Sequence, residues 1–88
     1  SHKGMSDGLY QVTINSTHAA SLSVIAALNL VGFAKSNGEA RRLIRGGGAK
    51  VNDNAITDED AVISIADFQD GKLKMSAGKK RHALIILS

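Results

Sequence analysis

Three consecutive glycines, Gly46-Gly47-Gly48, divide this chain into two regimes. Ahead of them the apolar residues mostly recur at helical spacing. Behind them they alternate or run together, as they do in strands. A chain with that switch packs helices from its first half on a sheet built largely from its second, an α+β layout. The glycines themselves read as a helix stop and turn. They lack the Lys-Ser/Thr of a phosphate-binding loop, and they follow a helical pattern instead of preceding one.

The elements can be placed along the chain. In residues 9–15, Tyr10, Val12 and Ile14 share one face and Gln11 and Thr13 the other, a short strand signal. Residues 21–31 read as a first helix with Ser21 as its N-cap and Gly32 ending it in a left-handed conformation. Ile25, Leu28, Val24 and Val31 fill one broad arc, with Ala26 and Leu30 on the other side. A helix so apolar is expected to be buried nearly all round, by the strands or by a part of the protein outside this sequence. Ser36-Asn37-Gly38-Glu39 is a capping box opening a second helix that runs to about residue 45. With Ala40 set at zero, Leu43 and Ile44 fall within about 60° on the helical wheel, and Arg41, Arg42 and Arg45 lie about 100° to 200° away. Short strands are expected at 49–52 and 55–57 around an Asp53-Asn54 turn, at 61–65, and at 72–76 with Leu73 and Met75 inward. A turn at 77–80 containing Gly78 leads to an interior strand over 82–87. The expected fold is therefore two helices, arranged like a helix-turn-helix, on a small mixed, mostly antiparallel sheet of four to five strands.

With 88 residues, one domain is expected, and its stability margin is thin. The chain has no cysteine, so neither disulfides nor a Cys-based zinc site can support it, and a reducing compartment is consistent. Aromatic residues make up 3%, so the core must come from Leu, Ile, Val and Ala. Ser1-His2 reads as a tag remnant and residues 3–8 as a flexible lead-in, which leaves 9–88 as the domain. No run approaches the roughly 20 apolar residues of a membrane span, and no signal peptide is visible.

The net charge of +3 is mild, but its distribution is uneven. Residues 35–50 hold five cations, Lys35, Arg41, Arg42, Arg45 and Lys50, against the single acid Glu39. Residues 72–81 hold five more, Lys72, Lys74, Lys79, Lys80 and Arg81, and no acid. Acids gather at Asp58, Glu59 and Asp60, then Asp67 and Asp70. Such separation describes either a polarised surface for a polyanion or ordinary solvated faces, with the arginines paired to Asp58, Glu59 or Asp60. Arginine suits phosphate because its planar fork binds two oxygens at once. With only Tyr10, Phe33 and Phe68 as aromatics, base stacking on a single-stranded nucleic acid is poorly supported.

Nothing points to catalysis. His18 and His82 are far apart, and no Ser/His/Asp set or metal spacing is present. The acidic run Asp58-Glu59-Asp60 could bind a cation but reads better as a solvated turn. Lys74-Met75-Ser76-Ala77-Gly78 is similar to the lysine-rich catalytic loop of class I synthetases, but its fourth residue is wrong, the His-x-Gly-His partner is absent, and Met75 is expected to face inward.

The stretch from Val31-Gly32-Phe33-Ala34-Lys35-Ser36 through Glu39-Ala40-Arg41-Arg42-Leu43-Ile44-Arg45-Gly46 to Val51-Asn52 resembles the S-four-type RNA-binding module. Ile56-Thr57-Asp58-Glu59-Asp60 and the closing Gly78-Lys79-Lys80-Arg81-His82-Ala83-Leu84-Ile85-Ile86-Leu87 narrow the resemblance to the C-terminal domain of bacterial tyrosyl-tRNA synthetases, over about residues 9–88. The resemblance implies a cytoplasmic domain that binds tyrosine tRNA around its anticodon stem and long variable arm. Aminoacylation and ATP binding would belong to a separate catalytic domain of the parent, a homodimer, with this fragment monomeric and holding no cofactor or metal. Lys35, Arg41, Arg42, Arg45, Lys50, Lys79, Lys80 and Arg81 are the expected RNA contacts. Many members of the wider module family carry basic residues before the first helix and after the second-helix serine. Here those places read His18-Ala19-Ala20-Ser21 and Ser36-Asn37, so the second helix and final hairpin should carry more of the RNA surface. A module of the same type with another parent or none, or a protein-docking module using the apolar first helix, are the alternatives.

Overall fold

The computed structural model describes residues 3–6 and 9–88. Strands β1 (Lys3–Ser6) and β2 (Leu9–Ile14) lead into helices α1 (Ser16–Ala19), α2 (Val24–Leu30) and α3 (Asn37–Arg45). Strands β3 (Ala49–Val51), β4 (Asn54–Ala55), β5 (Lys72–Ala77) and β6 (Arg81–Leu87) follow. They form one sheet in the order β1-β2-β6-β5-β3-β4. All neighbours are antiparallel except β2 and β6, which pair in parallel with Val12 opposite Ile85. This is the expected mixed α+β fold, with β6 interior to the sheet. The edge strand β1 lies where the sequence reads as a lead-in: its backbone pairs with β2 and satisfies an otherwise open edge. Ser1-His2, which the sequence reads as a tag remnant, lies outside the described residues.

One face of the sheet carries the core. Val12, Ile14, Ala49, Val51, Leu73, Met75, Ala77, Ala83 and Ile85 meet Leu22, Val24, Ala27, Leu28, Ala40 and Ile44 from the helical side, and all are buried. Full burial of Met75 within β5 removes the synthetase-loop reading of residues 74–78. No described helix is long and apolar enough to cross a membrane.

The first helix departs from expectation. Its N-cap is Ser23, not Ser21: the Ala26 N–H donates to Ser23 Oγ at 3.0 Å. Both serines can cap, and tertiary pairing chooses between them. Val24 N–H donates to the Ala61 carbonyl and Ile63 N–H to the Leu22 carbonyl, which holds Ser23 extended beside Val62. The same pairing accounts for residues 61–65. They do not join the sheet as a strand, and beyond Ile63 the chain bends into a 3-10 turn at Ile65–Asp67, with Val62 70% exposed. The segment before Ser23 forms α1, whose Asn15 cap was not foreseen. Nor is α2 buried all round: Val24, Ala27 and Leu28 are buried, Ile25 and Leu30 are half-buried, and Ala26 is exposed.

Helix ends follow local chemistry. At α3, Ser36 Oγ accepts from the Glu39 N–H at 3.1 Å, the serine half of the expected box. Both α2 and α3 end in the same glycine motif. After α3, Gly47 has φ +73°, its N–H donates to the Ile44 carbonyl, and Gly48 N–H reaches the Leu43 carbonyl, both at 3.0 Å. The β3–β4 hairpin turns one residue earlier than expected, on Asn52 (φ 50°) and Asp53 (φ 68°), because Val51 pairs with Asn54. Asn52 also accepts from Lys74 N–H through Oδ1 and donates to the Asp67 carbonyl at 2.7 Å, so its side chain ties the turn to the sheet.

These backbone assignments predict opposite signs for two glycine replacements. Gly47→Ala forces a Cβ into a left-handed site and should cost about 1–2 kcal/mol. Gly38→Ala, inside α3 where a Cβ meets only Ser36 Oγ at an ordinary 4.0 Å, should stabilise by about 0.5 kcal/mol. Urea denaturation midpoints at unchanged m value measure both; a stabilising Gly47→Ala would contradict the turn.

Candidate nucleic-acid interface

Helix α3 buries Ala40 and Ile44 against the sheet and leaves Arg41, Arg42 and Arg45 exposed, the two-faced arrangement its periodicity predicts. The β5–β6 turn, with Lys79 and Lys80 exposed, is attached directly behind this helix. Gly78 N–H donates to the carbonyl of Gly48, the last residue of the glycine turn, at 3.0 Å. Arg81 completes the attachment: its Nη1 donates to the Phe33 carbonyl at 2.9 Å, and its guanidinium sits 5.4 Å from the centre of the Phe33 ring. The two basic clusters, more than 30 positions apart in the chain, are thereby joined through one structural corner. Lys35, exposed and two residues beyond Phe33, belongs to the same corner.

Lys50 does not. It lies between buried Ala49 and Val51 on β3, so it projects from the sheet face opposite the helices. Lys72 and Lys74 share that face by alternation with Leu73 and Met75, and Lys74 Nζ is 3.1 Å from Asp53 Oδ1. His82 Nε2 lies 3.1 Å from the Lys79 carbonyl, which can only accept, so that nitrogen carries the proton. His82 thus closes the basic turn from within.

The arginines are not equivalent. Arg45 holds Glu59 in a fork, Nε to Oε2 at 2.8 Å and Nη2 to Oε1 at 3.1 Å. Arg41 Nε approaches the same carboxylate at 3.9 Å. Arg42 has no ion pair among the described residues. Hydrogen bonding from Arg45 holds the Glu59 carboxyl below the usual carboxylate range, against an opposing effect of partial burial, and raises Arg45 above its ordinary value. The acidic run at 58–60 is thus partly spent: Glu59 serves Arg45, and Asp58 Oδ1 accepts from Asp60 N–H at 2.9 Å. Pairing with that run was open in the sequence, but nothing there selected Glu59, because the contact depends on how the 56–61 loop folds back beside α3. The role of Phe33 in seating Arg81 had no sequence signal either.

A lowered folded-state value means that the Glu59 pair stabilises the fold above the unfolded carboxyl value and loses that contribution as pH falls through the folded one. Carboxyl NMR titration should therefore find Glu59 titrating below an ordinary glutamate, and Arg45→Ala should return it upward. An unmoved Glu59 in that variant would contradict the fork.

On one flank of α2, a groove of about 530 Å³ is lined by His18, Leu22, Ile25, Ala26, Leu30 and Asn37, with Ser23 and Asn29. His18 and Asn37, from the two places where the wider module family is often basic, both fall here. This groove is consequently poorer in charge than the α3 corner.

The family model described as Tyrosine--tRNA ligase SYY-like C-terminal domain matches residues 4–85. Similar curated proteins include the tyrosine–tRNA ligases of Gluconobacter oxydans and Rhodospirillum rubrum, each 48% identical over 67 residues, which are 76% of this chain and 16% of the relative. The tyrosine–tRNA ligase of Rickettsia bellii is 49% identical over 67 residues, 75% of this chain and 16% of its own length. The chain spans about 16% of the length of these relatives. With nearly its whole length matched, the chain belongs to the family of tyrosine–tRNA ligase SYY-like C-terminal domains.

Proposed function

We propose that this domain binds tyrosine tRNA and holds it for aminoacylation by the catalytic domain of a parent tyrosine–tRNA ligase in the cytoplasm, without chemistry of its own. The observation that carries this reading is the joining of Lys79, Lys80 and Arg81 to the α3 arginines through the Gly48–Gly78 hydrogen bond. Folded RNA presents phosphates in fixed positions, and a rigid corner bearing Lys35, Arg42, Lys79 and Lys80 can meet several of them together. Family membership supplies the expected tRNA. Arg41 and Arg45 contribute through whatever charge Glu59 leaves them, and Lys50 contributes only if RNA wraps past the sheet edge.

Binding of a tyrosine tRNA transcript should weaken with salt, with a log–log slope of roughly −3 to −5 for about five phosphate contacts. Lys79→Ala with Lys80→Ala should flatten that slope by one to two and leave the denaturation midpoint nearly unchanged. Unchanged affinity and slope would remove the corner from the interface. A second reading, protein docking on α2, is favoured by the half-buried Ile25 and Leu30 beside exposed Ala26. It predicts concentration-dependent self-association of the chain that Ala26→Glu with Leu30→Gln abolishes, seen by sedimentation; a monomer at all concentrations would count against docking between copies.

A further inference from the structure

The Arg45–Glu59 fork places a carboxylate on the guanidinium edge suited to bidentate phosphate binding. Arg45 gives Nε and Nη2 to Glu59, the same edge that binds phosphate in bidentate fashion. Arg41 leans on the same carboxylate from one turn earlier. Both arginine side chains are still well exposed, 46% for Arg41 and 63% for Arg45, so the fork is open to an incoming ligand. Surface pairs of this kind are weak and exchange readily.

We propose that Glu59 is a specificity-determining residue, a built-in competitor that only a phosphate presented in the right place can displace. This inference rests on the RNA-binding reading above. A polyanion that touches the corner loosely meets Arg45 already neutralised, and meets the Glu59 charge as repulsion. An RNA whose backbone is fixed by the Lys79–Lys80 turn can bring two phosphate oxygens to the Arg45 fork and replace the carboxylate at little cost. Glu59 then penalises unselective binding more than cognate binding.

The test compares Glu59→Gln with the unaltered chain, using a tyrosine tRNA transcript and an unrelated tRNA transcript over a range of salt. Glutamine keeps the shape and one acceptor but removes the charge. The expected result is about a threefold to tenfold gain in affinity for the unrelated tRNA, a smaller gain for tyrosine tRNA, and a salt slope steeper by about one for the unrelated RNA. Glu59→Ala should behave likewise, and the difference in gain between the two RNAs should vanish once Arg41 and Arg45 are both alanine. Equal gains for both RNAs would make Glu59 a general charge damper and overturn the proposal. Losses for both, or no change, would make it a support for the arginines and overturn it too. If the unaltered chain binds neither RNA, the RNA-binding reading fails and this inference with it; salt-dependent binding that Lys79→Ala with Lys80→Ala weakens, but that Glu59→Gln leaves alone, sinks this inference only.

Discussion

Gly47 adopts φ +73°, and the direction of the rest of the chain follows from that turn. It releases the α3 backbone into β3, so that Ala49–Val51 can pair with β5, and it leaves the Gly48 carbonyl free to receive the Gly78 N–H. A residue with a Cβ would resist that conformation. The hydrogen bond that results fixes the distance between a helix bearing three arginines and a hairpin bearing two lysines and an arginine. Arg81 on Phe33 adds a second fastening, to the loop between α2 and α3. One feature of backbone chemistry thus serves both the sheet and the charged corner.

The corner works with less charge than the sequence count implies. Arg45 is matched to Glu59, and Arg81 spends a donor on the Phe33 carbonyl. Lys74 faces Asp53 on the far side of the sheet, and Lys50 shares that side. Arg42, Lys35, Lys79 and Lys80 are exposed and have no ion pair among the described residues, while Arg41 and Arg45 stand behind a carboxylate. Charge arranged this way makes affinity for a polyanion depend on geometry as well as on net charge.

Much of this was legible before the structure. The arginine face followed from helical phase, the α3 start from Ser36, and the helix stops from Gly32 and the glycine triplet. The interior position of β6 followed from its continuous apolar run. The misreadings share a physical cause. Ser21 and Ser23 are equally good caps, and only pairing with residues 61–63 chose Ser23. Alternation at 61–65 mimicked a strand because Ile63 alone is buried there. The Asn52-Asp53 turn and the neighbouring Asp53-Asn54 pair are both acceptable in a tight hairpin, so register had to decide. Glu59 and Phe33 acquire their roles only from contacts between segments distant in sequence, which no local pattern records.

The proposed function requires RNA to be held at the corner where α3, its glycine turn and the β5–β6 turn meet. Backbone amide NMR of the 88-residue chain titrated with a tyrosine tRNA transcript tests it most directly. RNA held there gives coincident shifts or broadening at residues 41–48 and 78–81, with little change at 50–51 and 72–74 on the far face of the sheet. Perturbation centred on the far face or on the α2 groove, with the glycine turn and the β5–β6 turn unchanged, would contradict it.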